Sequence, residues 1–153
     1  MKFLCDQMLG TLAKWLRILG FDTYYASNSV DDLELIEIAK KEKCVLLTRD
    51  KDLVYQARRE NISVIELSTT ELDEQLKTAL KDVEINYDLI LSRCLICNSV
   101  INDIKKNDVK DKIPDRVFEG NDKFWYCKNC DKIYWRGTHY TMMLDKINQI
   151  QKN

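Results

Sequence analysis

Several features that would quickly assign a function are missing from this chain. No apolar run approaches the ~20 residues needed to span a bilayer. The start, MKFLCDQMLG, is too short and too soon acidic for a signal peptide, so a cytoplasmic protein with no membrane partner is expected. Glycine is scarce, at four in 153 residues, and none sits in a phosphate-cradling loop, which argues against a nucleotide-dependent enzyme. There is no internal repeat and no low-complexity segment. Neither sign of charge dominates, with 24 Lys and Arg against 25 Asp and Glu. The length fits one ordinary domain, or a domain of about 100 residues with a small appendix.

The near-zero net charge hides an asymmetry. Residues 1–91 carry 12 basic and 17 acidic side chains, and residues 92–153 carry 12 and 8. An acidic first part followed by a basic second part suggests two jobs, although a shift this small also arises by chance.

Strand-like and helix-like stretches alternate over the first half. KFLCD (2–6) is a short apolar run ending in an acid. Met8, Leu9, Leu12, Trp15, Leu16 and Leu19 follow helical spacing, with Gly20 as a stop and with Lys14 and Arg17 off the apolar face. DTYYA (22–26) reads as a second strand. Asp31 or Asp32 caps a helix that buries Leu35, Ile36 and Ala39. CVLLT (44–48) is a third strand, Asp52 caps a short helix to about Glu60, and SVIEL (63–67) is a fourth strand. Leu72, Leu76, Ala79 and Leu80 mark a further helix. Short, almost wholly apolar strands alternating with helices predict an α/β fold whose parallel sheet is covered on both faces. The expected domains are an α/β domain over 1–84, a linker over 85–91, a cysteine module over 92–140 and a C-terminal helix over 141–153.

In open α/β sheets, ligands bind beyond the carboxyl ends of the strands. Asp6 ends strand one, Asp32 opens the helix after strand two, Asp50 follows strand three and Asp52 begins the next helix. Four converging carboxylates repel and raise one another's pKa, so they need a cation. Hard oxygen donors point to Mg2+ or Mn2+, which can activate water and stabilise a phosphodiester in transit. Capping is the plainer reading for Asp32 and Asp52, whereas strand ends rarely need acids such as Asp6 and Asp50. Glu34 is a weaker candidate on a solvated helix face. Arg49 can face phosphates or offset the acids, and surface offset is the simpler reading for Lys51.

The six cysteines fall into two groups. Cys5 and Cys44 sit inside apolar runs and read as small core side chains. Cys94, Cys97, Cys127 and Cys130 form two C-x2-C pairs separated by 29 residues, the spacing of a four-thiolate structural zinc site. Around the second pair lies FWYCKNCDKIYWRGTHY, whose aromatics either stack on bases or form the core of a small module. Arg136 and His139 follow on a glycine-containing turn, where they bind RNA, reach back toward the acids, or, for the lone histidine, serve structure.

The segments FLCDQMLGTLAKWLRILGFDT, DLELIEIA, VLLTRDKDL, SRCLICN and CKNCDKIYWRGTH, in that order, resemble the Mut-seven C-terminal RNase domain family over nearly the whole chain. The resemblance implies a PIN-like parallel-sheet nuclease domain joined to a zinc ribbon. It carries the acidic cluster onto Asp6, Asp32, Asp50 and Asp52 and includes the WRG-x-H stretch. It implies a metal-dependent ribonuclease with structural Zn2+, catalytic Mg2+ or Mn2+, and RNA as partner. Candidate RNA contacts are Arg17, Arg49, Arg136 and His139. Two other readings fit parts of the chain: a PIN-like adaptor that binds RNA, a ribosome or another protein without turnover, and an unrelated receiver-like or Toprim-like phosphotransfer domain. The lack of a lysine strand motif after the central acids and the fused ribbon weaken the receiver-like form of the second.

Overall fold

The computed structural model describes residues 1–27 and 29–152. Asn28, inside the expected first domain, and Asn153, at the end of the expected C-terminal helix, lie outside the described residues. The chain divides into two compact units, Met1–Asn98 and Ser99–Asn153.

The first unit alternates strand and helix: β1 (Lys2–Cys5), α1 (Gly10–Ile18), β2 (Asp22–Tyr25), α2 (Asp32–Glu42), β3 (Val45–Thr48), α3 (Lys51–Arg59), β4 (Val64–Glu66) and α4 (Leu72–Ala79). The four strands form one parallel sheet in the order β2-β1-β3-β4. Successive side chains of a strand point to opposite faces. Leu4 and Leu46 pack with Leu35, Ile36, Ala39, Leu53 and Ala57 of α2 and α3. Phe3, Cys5 and Leu47, equally buried, therefore turn to the other face, on which α1 packs against β1 and α4. Coverage on both sides is why the strand runs are almost wholly apolar.

Cys5 and Cys44 behave as core residues, and burial pushes the Cys5 thiol up to about 12, so it stays neutral and unreactive. Gly20 ends α1 at φ +91°, and a Cβ there would come within 2.5 Å of the Leu89 carbonyl oxygen. Among the described residues, no helix is long and apolar enough to cross a membrane.

Two local expectations change. Asp50, not Asp52, caps α3: its Oδ1 accepts from the backbone N–H of Asp52 (2.9 Å) and Leu53 (3.3 Å). Arg17, expected off the apolar face of α1, is only 8% exposed. Its side chain is withdrawn from water because the guanidinium finds backbone carbonyls to replace the hydration it gives up.

The second unit holds an antiparallel sheet in the order β5-β6-β7, built from β5 (Asn102–Ile104), β6 (Phe124–Cys127) and β7 (Lys132–Trp135). Two short helices, α5 (Lys106–Val109) and α6 (Asp115–Gly120), separate β5 from β6. Pro114 stands at the entry to α6, where a proline's missing N–H costs nothing. The long α7 (Thr138–Lys152) closes the unit.

Candidate active site and metal centre

The carboxyl edge of the parallel sheet is built by the ends of β1 and β3. The Asp6 N–H donates to the Leu47 carbonyl (3.1 Å), so the backbone is still held by the sheet where its carboxylate emerges. Asp6 Oδ2 accepts from the Thr48 hydroxyl at 2.8 Å, and Oδ1 accepts from the Gln7 N–H at 2.7 Å. The same Thr48 oxygen accepts from the Asp50 N–H at 3.0 Å. Thr48 is fully buried, so Asp6, Thr48 and Asp50 form a fixed chain across two strand ends. Asp50 spends Oδ1 on the first turn of α3, which fixes the orientation of its second oxygen.

Asp32 and Asp52 stand in the first turns of α2 and α3 and cap neither helix. The α2 cap is Asp31, whose Oδ1 accepts from the Glu34 N–H at 2.9 Å. Burial raises the Asp32 pKa, and the negative charges of Asp50, Asp6, Asp31 and Asp52 raise it further. The four sequence candidates thus share one electrostatic neighbourhood. Glu34 and Lys51 are exposed on helix surfaces. Arg49, between Thr48 and Asp50, is partly buried, and its Nε is withdrawn from water with no acceptor among the described residues.

A stability prediction separates the two neighbouring acids of α2. Asp31→Ala removes a cap and should cost ~1 kcal/mol. Asp32→Asn should act in the opposite direction at neutral pH. Folding raises the Asp32 pKa above its ordinary 3.8, so the folded state binds this proton more tightly than the unfolded chain does. That preference favours the fold below the ordinary pKa and is lost as pH rises through the raised value. At pH 7 the ionised group is therefore a burden in cation-free protein. Asp32→Asn should raise the melting temperature at pH 7, and the difference should vanish below the ordinary aspartate range. Thermal melts of the parent and both variants across pH check both signs.

The second cluster is sulfur. The ligand atoms of Cys94, Cys97, Cys127 and Cys130 all lie within 4.8 Å of one another. Each C-x2-C pair is followed by a residue with positive φ, Asn98 at 72° and Asp131 at 52°. Asn and Asp tolerate this left-handed conformation, so both pairs end in the same kind of turn. The Cys130 N–H points at Cys127 Sγ (3.4 Å). Four soft thiolates in a closed set fit a tetrahedral zinc with no open position.

The first pair is held by the first unit itself. Arg17 donates through Nε to the Thr23 carbonyl (3.0 Å) and through Nη1 to the carbonyls of Leu95 (3.0 Å) and Ile96 (3.2 Å). Burial depresses the Arg17 pKa, while the negative charges of Cys94, Cys97 and Asp22 push it back up. Asn98 accepts from the Thr23 N–H (3.0 Å) and donates to Asp22 (2.7 Å), and Arg93 donates to the Asn98 carbonyl (2.9 Å).

In the second unit, the Arg136 guanidinium lies 5.0 Å from the Trp125 ring centre and 4.9 Å from that of Tyr140. Contact with two aromatic rings leaves its N–H edges as the polar surface it can offer. His139 is exposed in the first turn of α7.

Thr48, Arg93 and Asn98 were not singled out by sequence. Threonine ends many strands, and the partners of the other two lie more than 70 positions away for Gly20, Asp22 and Thr23. For Thr48 the only signal is its place between an apolar run and the acids.

A family model described as the Mut7-C RNAse domain matches residues 1–147. The chain is 31% identical over 102 residues to a protein described as "Exonuclease mut-7 homolog" from Homo sapiens. That alignment covers 63% of this chain and 12% of the human protein, so the chain spans only a small part of that relative's length. No solved structure matches the chain.

Proposed function

The chain belongs to the Mut7-C RNAse domain family, and from that premise we propose that it is a metal-dependent ribonuclease whose active site is the carboxyl edge of the parallel sheet. The observation that carries this reading is the Asp6–Thr48–Asp50 chain, which fixes two carboxylates where Asp32 feels their charge. The donor set is all hard oxygen and none of the four acids has a salt-bridge partner among the described residues, which fits Mg2+ or Mn2+. When bound, such a cation would neutralise phosphodiester charge and make a water more acidic.

Each residue has its own part. Thr48 holds Asp6 by donating to Oδ2, so the carboxylate cannot swing away when a phosphate approaches. The α3 backbone does the same for Asp50 through Oδ1. Asp32 completes the site from α2, and Asp52 adds charge from the first turn of α3. Burial and the neighbouring carboxylates raise the Asp32 pKa in the cation-free protein, so proton and cation compete for this group and acidification should weaken cation binding.

In the second unit, Arg136 and His139 contact RNA, and Zn2+ on the four cysteines supports that unit. Arg17 serves the first cysteine pair rather than RNA. The expected compartment is the cytoplasm, where thiols stay reduced.

The test uses the zinc-loaded protein and a short labelled RNA, with Mg2+ or Mn2+ added or withheld. Cleavage that depends on the added cation supports the reading. RNA binding with no cleavage under either cation would replace it by an adaptor of the same fold. A separate binding prediction concerns the second unit. Arg136→Ala should weaken RNA binding and lower the salt slope by about 1, because one phosphate contact is lost. Fluorescence anisotropy at two salt concentrations measures this, and parental affinity at low salt would remove Arg136 from the interface.

A further inference from the structure

The pleat of β3 sends its last residues to opposite sides of the sheet. Thr48 shares the side of Leu46, toward α2 and α3, and there it meets Asp6. Arg49 turns the other way, toward α1 and α4. On that side it lines a cleft of about 200 Å³. Met8 and Leu72 supply apolar wall, and Thr11, Thr70 and Gln75 supply polar groups. The Gln75 side-chain N–H is spent on the Thr69 carbonyl (2.8 Å), which leaves the amide oxygen as acceptor. Met8 is 70% exposed, although it is only two residues from Asp6.

Arg49 is the feature that most needs explaining. A buried arginine N–H without an acceptor costs free energy, and native proteins leave few such groups. No acceptor among the described residues repays that cost. Arg49 also lines the cleft, where its terminal N–H groups can donate to a phosphate oxygen, and charge-assisted hydrogen bonds are the strong ones.

We infer that this cleft takes one unpaired nucleotide of the RNA, flanking the phosphate held at the acids, with Arg49 on the nucleotide's phosphate and Met8 against its base. The strand then crosses the sheet edge, from the acidic side to the Arg49 side. A cavity of this size receives one base and not a base pair, so the RNA is read single-stranded. The mixed polar lining predicts little preference among the four bases. This subsite rests on the ribonuclease reading above.

The experiment labels the four methionine methyl groups with 13C and adds a six-nucleotide RNA, without added divalent cation. The Met8 methyl signal should shift saturably with the single strand and stay still with a duplex of the same sequence. Arg49→Ala should weaken binding roughly tenfold and raise KM about as much, with little change in kcat. Asp50→Asn should show the reverse: lost turnover with the Met8 shift intact. A Met8 signal unmoved at saturating RNA, or parental binding by Arg49→Ala, overturns the subsite even where the parent cleaves RNA. A persistent Met8 shift in a protein that cleaves nothing with Mg2+ or Mn2+ upholds the nucleotide cleft and overturns the ribonuclease reading instead.

Discussion

Asp50→Asn should lower RNA cleavage by roughly 10²–10³-fold or more, with the fold and RNA binding preserved. Asparagine is nearly isosteric and is itself a good N-cap, so its oxygen can still accept from the N–H groups of Asp52 and Leu53. What disappears is a negative charge at a position fixed by both β3 and α3. Removing it also relieves repulsion on Asp32, so the cation-free variant should melt no lower than the parent. Asp6→Asn should lose activity to a similar degree, since its amide oxygen can still accept from Thr48. Thr48→Val should be an intermediate case. It keeps a β-branched side chain in the strand and all four acids, but it frees Asp6 Oδ2 and leaves the Asp50 N–H without its acceptor. Initial rates in Mn2+ and thermal melts on the same preparations separate charge from fold. Either aspartate variant cleaving at the parental rate would place the chemistry elsewhere.

The features legible in the sequence are those set by local chemistry. Alternating apolar strands and amphipathic helices specified a parallel sheet, because burial on both faces demands that composition. Cys94, Cys97, Cys127 and Cys130 were legible because four-thiolate coordination imposes its own spacing. Strand-end acids were legible because an apolar run gains nothing from ending in charge. The cap of α3 was not. In RDKDL, both Asp50 and Asp52 are good caps, and the choice depends on where the backbone leaves its extended path, a detail that sequence fixes only to one or two residues. Arg17 was misplaced for a different reason. A helix seen alone has one apolar face, but its acceptors at Leu95 and Ile96 lie 78 and 79 positions away. Thr48 escaped notice because a threonine in a strand satisfies β propensity with no further role. Between the cysteine pairs, α5 and α6 are 4 and 6 residues long, too short for a helical period to show in the sequence.

Loss of zinc should unfold the second unit and leave the first one folded. The purified protein should carry about one Zn2+ per chain on Cys94, Cys97, Cys127 and Cys130, measured by elemental analysis. The second unit, Ser99–Asn153, buries few apolar side chains, chiefly Ile101, Val109, Phe124 and Ile147. A core that small rarely sustains a fold without a metal or disulfides, and structural zinc contributes on the order of 10–16 kcal/mol in small modules. Cys127→Ser, or a strong chelator, should therefore remove the ordered signals of Trp125 and Trp135. Trp15 reports on α1 and should keep its folded environment, because Phe3, Leu4, Leu12, Leu16, Leu46 and Leu47 form a core that does not need the metal. The first cysteine pair should respond in between. Its backbone is tied to α1 by Arg17 and to β2 by Asn98, bonds that survive without zinc. The Cys94–Asn98 turn should accordingly stay ordered after chelation in the parent and loosen in Arg17→Met, a difference visible in the backbone amide signals of that turn. Freshly purified protein with no zinc and a fully ordered second unit would contradict the assignment, as would disulfides joining these four cysteines.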